Sequence, residues 1–145
     1  MITTTLNRIR EHGPCEENWK KLLAGLGKIK ADDEPLPYAE ILRICGFDDA
    51  LWATRVEPQY AKEWRLLVVA FARRVQDKMT DERSLRVLDV AEAFAHGKAT
   101  RKELDDALSA AYAAYAATAA VSASAEREWQ EAEFLRVVTE TEDRA

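Results

Sequence analysis

Nowhere in this chain of 145 residues do about 18 apolar residues follow one another, so no transmembrane helix is expected. Histidine and cysteine are as scarce: His12, His96, Cys15 and Cys45 are all there are. With no Cys-x-x-Cys and no His-Glu-x-x-His, the sequence offers no metal site, and no cofactor is expected. Sustained period-two alternation and Asn-Gly or Asp-Gly turns are missing too, so no strand is expected. Positive charge is in deficit, 21 Lys and Arg against 26 Asp and Glu, for a net −5. That sign argues against direct binding of nucleic acid. The opening MITTTLNRIREHG lacks the apolar core of a signal peptide, and two cysteines suit a reducing compartment, so a cytoplasmic protein is expected.

What the chain has in quantity is helix signals. Alanine fills eleven of the nineteen positions from Ala107 to Ala125, and it is the best helix former and the smallest. A capping box, Thr100-Arg101-Lys102-Glu103, launches this stretch. With no later glycine or proline, the helix is expected to reach about Thr139, roughly 60 Å, with a bend near 122–124. Tyr112 and Tyr115 are read as groove fillers against the preceding helices.

Upstream, Gly13-Pro14 stops a helix running from about Thr5 to His12. Pro14 opens a second, CEENWKKLLAGLG, with Trp19, Leu22, Leu23 and Leu26 on its apolar stripe. KIKADDEPLP reads as a loop, YAEILRICG as a short helix closed by Gly46, and Asp48 as the cap of DALWATR. Pro58 opens a long helix with Tyr60, Trp64, Leu67, Phe71 and Val75 inward. Leu66, Val68, Val69 and Ala70 make its middle apolar nearly all round, the mark of a buried helix. Thr80 or Asp81 caps the next helix, which turns Leu85, Leu88, Ala91 and Ala95 inward and stops at Gly97.

The expected fold is all-α: a single-domain bundle of about six to seven helices. Residues 1–57 hold short helices, 58–97 two core helices and 100–140 the long alanine-rich one.

Candidate chemistry is thin. His96 precedes a stop glycine, where an imidazole favours the helix C-terminus. His12 and Cys15 are separated by a helix break, with no third group to orient them. The acidic pairs lack calcium-loop spacing, and Gly25-Leu26-Gly27-Lys28 follows a helix instead of a strand, unlike a phosphate loop. Arg73, Arg74, Lys78, Arg83 and Arg86 are the one anion-site candidate, read instead as solvated faces paired with Asp77, Asp81 and Glu82. No catalytic residue is assigned and no enzyme activity is expected.

The acid excess concentrates at the far end, where Glu126 to Ala145 carry seven acids and three bases. Trp129 sits there among Glu126, Glu128, Glu131 and Glu133. An aromatic anchor ringed by acids suits a protein partner with a basic surface, and these five residues are the candidate protein-binding site. Trp129 can equally pack with Phe134 and Val138 onto the body, or pair two copies into a homodimer. A solvated, solubilising acidic tail is the plain alternative.

The stretch from Trp64 to Ala120 carries a Trp/Phe-rich helix ending in ARRV, then D-x-R-S, VAEAFAHGKAT and the alanine helix. In these elements, over 57 of 145 residues, it resembles the Imm-5-like immunity protein family of bacteria and phages. The resemblance implies a small helical protein that binds and blocks another protein, and it carries over no catalytic residue. The expected function is therefore a non-enzymatic inhibitor that neutralises an effector, as toxin immunity or as a phage anti-defence (anti-CRISPR) factor. The alternative is a phage or mobile-element assembly protein that homo-oligomerises through its C-terminal helix.

Overall fold

The computed structural model describes residues 1–79, 81–107 and 123–142. Those residues are mostly helical, so the fold class is all-α. The chain packs as two compact units, one formed by Met1–Gln59 with the chain from Glu131 on, the other by Tyr60–Gln130.

The first unit begins with a contact that the sequence does not announce. Thr3–Thr4 (β1) pairs antiparallel with Leu36–Pro37 (β2), Thr3 opposite Pro37 and Thr4 opposite Leu36. Strands of two residues are too short to show alternation, which is why an all-helical reading missed them. Thr5 caps helix α1 (Leu6–Glu11), its hydroxyl accepting from the Arg8 N–H at 3.2 Å. Helix α2 spans Glu16–Gly25 and begins after Pro14, with Cys15 at the cap position and two acids in its first turn. Helix α3 (Tyr38–Cys45) ends at Gly46, whose φ of +94° only glycine adopts freely. That same glycine starts helix α4 (Phe47–Ala53). Asp48 is therefore a first-turn acid and not the cap expected of it: burial of Phe47 sets the helix start two residues earlier.

Helices α2 and α3 meet at a glycine. A Cβ on Gly25 would lie 2.5 Å from Ile44 Cγ2 and 3.0 Å from Cγ1. Rotating the β-branched side chain only exchanges one γ carbon for the other. Gly25→Ala should therefore cost about 1–3 kcal/mol in overpacking, partly offset by about 1 kcal/mol of helix propensity. A lowered midpoint in thermal unfolding is the expected reading, and a raised one would mean the helices do not touch there.

The core of this unit is closed from the other end of the sequence. Helix α8 (Ala123–Glu140) places Phe134 and Val138, both fully buried, in the first unit. Phe134 lies 6.0 Å from Phe47, edge-on at 86°, and 6.4 Å from Tyr38. Tyr38 donates its hydroxyl to the Ala53 carbonyl at 2.8 Å, and Ile2 N–H donates to the Val138 carbonyl at 2.6 Å. The segment for which a solvated tail was the plain alternative thus supplies two core residues.

In the second unit, helix α5 (Ala61–Arg74) begins after Pro58, which was expected to open it, and ends before Val75, expected on its inward face. Turns of 3-10 helix flank it, Pro58–Tyr60 before and Gln76–Lys78 after. Tyr60, Trp64, Leu67 and Val69 are buried, but Val68 is 59% exposed. The middle of α5 is therefore not buried all round. An apolar run spread over more than half a helix circumference is wider than one packed neighbour covers.

Helix α6 (Glu82–Ala95) packs on α5. Of its expected inward positions, Leu88 and Ala95 are buried. Asp81 caps it by accepting from the Arg83 N–H at 2.9 Å; Thr80 lies outside the described residues. The Arg83 guanidinium and then this N–H hold the Asp81 carboxyl at about 2, against an ordinary 3.8. A depressed acid stabilises fully above its unfolded value and loses that contribution as pH falls through the folded one. A carbon-detected titration of Asp81 should show a midpoint near 2, whereas 3.8 would mean the cap is open.

Gly97 (φ +71°) turns the chain into the capping box, formed as the sequence indicates. Thr100 N–H donates to Glu103 Oε2 at 2.7 Å, and Glu103 N–H donates to Thr100 Oγ1 at 3.2 Å. Residues 101–107 are helical (α7), with Leu104 and Ala107 buried. The alanine-rich stretch beyond Ala107, with Tyr112, Tyr115 and the start of the expected 122–124 bend, lies outside the described residues.

Candidate functional site

The five candidate residues are placed unequally. The Glu126 side chain lies outside what the structure describes, and Glu128 is exposed. Glu131 and Glu133 belong to the first unit, where two positions apart on a helix puts them on different faces. Glu133 is mostly covered and ion-paired with Arg136 at 2.6 Å, which lowers its pKa. Arg136 also holds Glu140 at 2.8 Å. Part of the acid expected to ring an aromatic anchor is thus neutralised within α8.

Trp129, in the second unit, is half-buried. Its ring meets Phe71 edge-on, centroids 6.2 Å apart at 77°. The Arg74 guanidinium lies over the ring, 5.2 Å from its centroid. Phe134 and Val138, the other partners considered for Trp129, pack in the first unit instead. Around Trp129 opens a groove of about 540 Å³, with Leu66, Val69 and Ala70 as its aliphatic wall and Arg73, Arg74 and Glu92 as its polar rim.

The basic cluster pairs with Asp81 as expected, and also with acids the sequence did not indicate. Arg73 bridges to α6 through Asp89 at 2.6 Å and Glu92 at 3.0 Å, and these bonds raise its pKa. Arg83 binds Asp81. Arg73 finds its partners 16 and 19 positions away, because partners across a helix pair are set by packing and not by sequence distance. Sequence reasoning missed the seat of Trp129 for the same reason: Phe71 and Arg74 lie more than fifty positions away.

The reactive residues take structural places. His12 is the C-cap of α1, its Nδ1 3.0 Å from the Arg8 carbonyl, and His96 is the C-cap of α6. Cys15 is exposed at the start of α2. Burial and then Asp49 push the Cys45 thiol up, making it a poorer nucleophile. Lys28 in Gly25-Leu26-Gly27-Lys28 is engaged by Asp32 at 2.6 Å and Glu34 at 2.7 Å. Among the described residues, no cluster of three His, Cys, Asp or Glu is placed to hold a metal, and no helix is long and apolar enough to cross a membrane.

No family model, curated protein or solved structure matches the chain. A half-exposed tryptophan beside an arginine and aliphatic side chains has the composition of a protein-binding hot spot.

Proposed function

We propose that this chain is a non-enzymatic binding protein that neutralises another protein by occupying its surface. The observation that carries the reading is the seat of Trp129: an aromatic ring held by Phe71 and Arg74 at the edge of an open groove. Held this way, the ring loses little freedom on binding, the usual property of an anchor. Exposed Glu128 and the acid excess from Glu126 onward favour a basic partner surface. The resemblance of Trp64–Ala120 to the immunity proteins supports toxin immunity or phage anti-defence as the biological setting. Self-assembly through the C-terminal helix has less support, because Phe134 and Val138 are already buried within the first unit.

The test is affinity capture from the native host or its phage-infected relatives, followed by calorimetry with the captured protein. Trp129→Ala should weaken binding at least about tenfold, and Glu128→Lys should slow association and flatten its salt dependence. Unchanged affinity in both variants, each still folded, would remove the contact from this surface. Deletion after Ala125 is unsuitable, since it strips Phe134 and Val138 from the core.

A further inference from the structure

The two cysteines lie far apart in sequence but come to one corner of the first unit. Cys15 is exposed at the cap position of α2, and Cys45 is the half-buried last residue of α3. The Cys45 Sγ lies 3.9 Å from the carbonyl oxygen of Asn18, in the first turn of α2. Asn18 stands three positions after Cys15, less than one helical turn of about 5.4 Å. Leu22 and Gly25 continue the same face at helical spacing, and α3 packs on it: Gly25 approaches Ile44, and Leu22 shares a small hollow with Ile41, Cys45 and Pro14, the residue before Cys15. Burial and then Asp49 push the Cys45 thiol up against a pull from Lys21, and the Cys15 sulfur is near enough to add to that push.

What separates the two sulfurs is the first turn of α2, and that turn is lightly held. Cys15 makes no side-chain cap bond, so the turn frays at less cost than a capped one. Gly13, at φ +65°, has nothing within 4 Å of where a Cβ would stand, so the approach to the helix is unpacked at that point. The Cys45 side of the corner is firmer. Asn18 Nδ2 donates to Asp49 Oδ1 at 2.7 Å, tying α2 to α4 just beyond Cys45. A disulfide needs Cα atoms within about 7 Å, a distance that yielding of the first turn can supply.

We propose that Cys15 and Cys45 are a redox pair, oxidised by hydrogen peroxide to a disulfide that pins the start of α2 to the end of α3. The Cys15 thiolate attacks one peroxide oxygen and the O–O bond breaks, leaving Cys15 sulfenic acid, while the departing hydroxide takes up the Cys15 proton as water. The Cys45 sulfur then attacks the Cys15 sulfur and the S–O bond breaks, the hydroxide leaving with the Cys45 proton as a second water. Two thiols thus give two electrons to one peroxide. Burial makes Cys45 the slower thiol, so it completes the reaction that exposed Cys15 begins. In a reducing compartment such a bond is transient, as in a redox sensor. The pair lies in the first unit and does not rest on the function proposed above.

Treating dilute, folded protein with excess hydrogen peroxide tests it, read by mass spectrometry of tryptic peptides digested without reductant. The wild-type monomer should yield Glu11–Lys20 joined to Ile44–Arg55, lighter than their sum by two hydrogens. Dithiothreitol should separate them again. Cys45→Ser should stop at the Cys15 sulfenic acid, with the dimedone adduct as its main product, whereas the wild type gives that adduct only as a minor one. Cys15→Ser should keep Cys45 a free thiol over the time in which the wild type is fully converted. Oxygen added at Cys15 with no cross-link, two chains joined through Cys15, or both thiols left free would each overturn the proposal.

Discussion

Replacing Phe134 by alanine should destabilise the chain by about 3–5 kcal/mol, the usual cost of removing a fully buried aromatic ring. The ring has no solvent exposure and rests against Phe47 and Tyr38. Tyr38 is in turn fixed by its hydroxyl bond to the Ala53 carbonyl. The cavity cannot collapse cheaply, because the neighbours on one side belong to α3 and α4 and the backbone on the other is tied by Ile2 N–H to Val138. Phe134→Leu keeps most of the volume and should cost less than about 1.5 kcal/mol. Urea unfolding of both variants checks the ranking. If Phe134→Ala loses no more than an exposed-site change such as Glu128→Ala, within about 0.5 kcal/mol, the C-terminal segment is a solvated tail after all.

The second large effect lies at a buried carboxylate. Glu57 is fully buried, and its Oε2 receives Arg8 Nη1 at 2.9 Å and Gln59 Nε2 at 2.6 Å. Arg8 also donates Nη2 to the Val56 carbonyl at 3.4 Å. Taking the cation from a buried pair costs about 3–5 kcal/mol, because the remaining charge stays desolvated. Arg8 is 45% exposed on its side chain, and water screens part of the interaction, so Arg8→Met should cost about 2–4 kcal/mol. The double variant Arg8→Met with Glu57→Gln removes the charge as well as its cation. It should be more stable than Arg8→Met alone by more than about 1 kcal/mol. Simple additivity in that cycle would mean that Arg8 contributes packing and not charge.

Much of this architecture was legible because its signals are local. The Asp81 cap, the Thr100–Glu103 box and the stops at Gly46 and Gly97 each depend on residues within a few positions. What was not legible depends on distant contact. Phe134 and Val138, four apart on one helix face, are readable as an apolar pair, but the body they close lies about a hundred residues away. Acidic neighbours left packing onto the body as one alternative among several, since charge on an outer face says nothing about what the inner face covers. Val68 failed in the opposite sense: composition marked it for the core, and only packing decides which faces are covered. Of the candidate site, Trp129 was singled out by its setting, while its seat against Phe71 and Arg74 was not visible.

The central structural claim is that the acidic C-terminal helix completes the first unit, with Trp129 and its groove as the proposed contact surface. Native-state amide hydrogen exchange reads it residue by residue. The amides from Phe134 to Val138 should be protected as strongly as those of Tyr38–Cys45, against which they pack. Rapid exchange there, while Tyr38–Cys45 stays protected, would contradict the account.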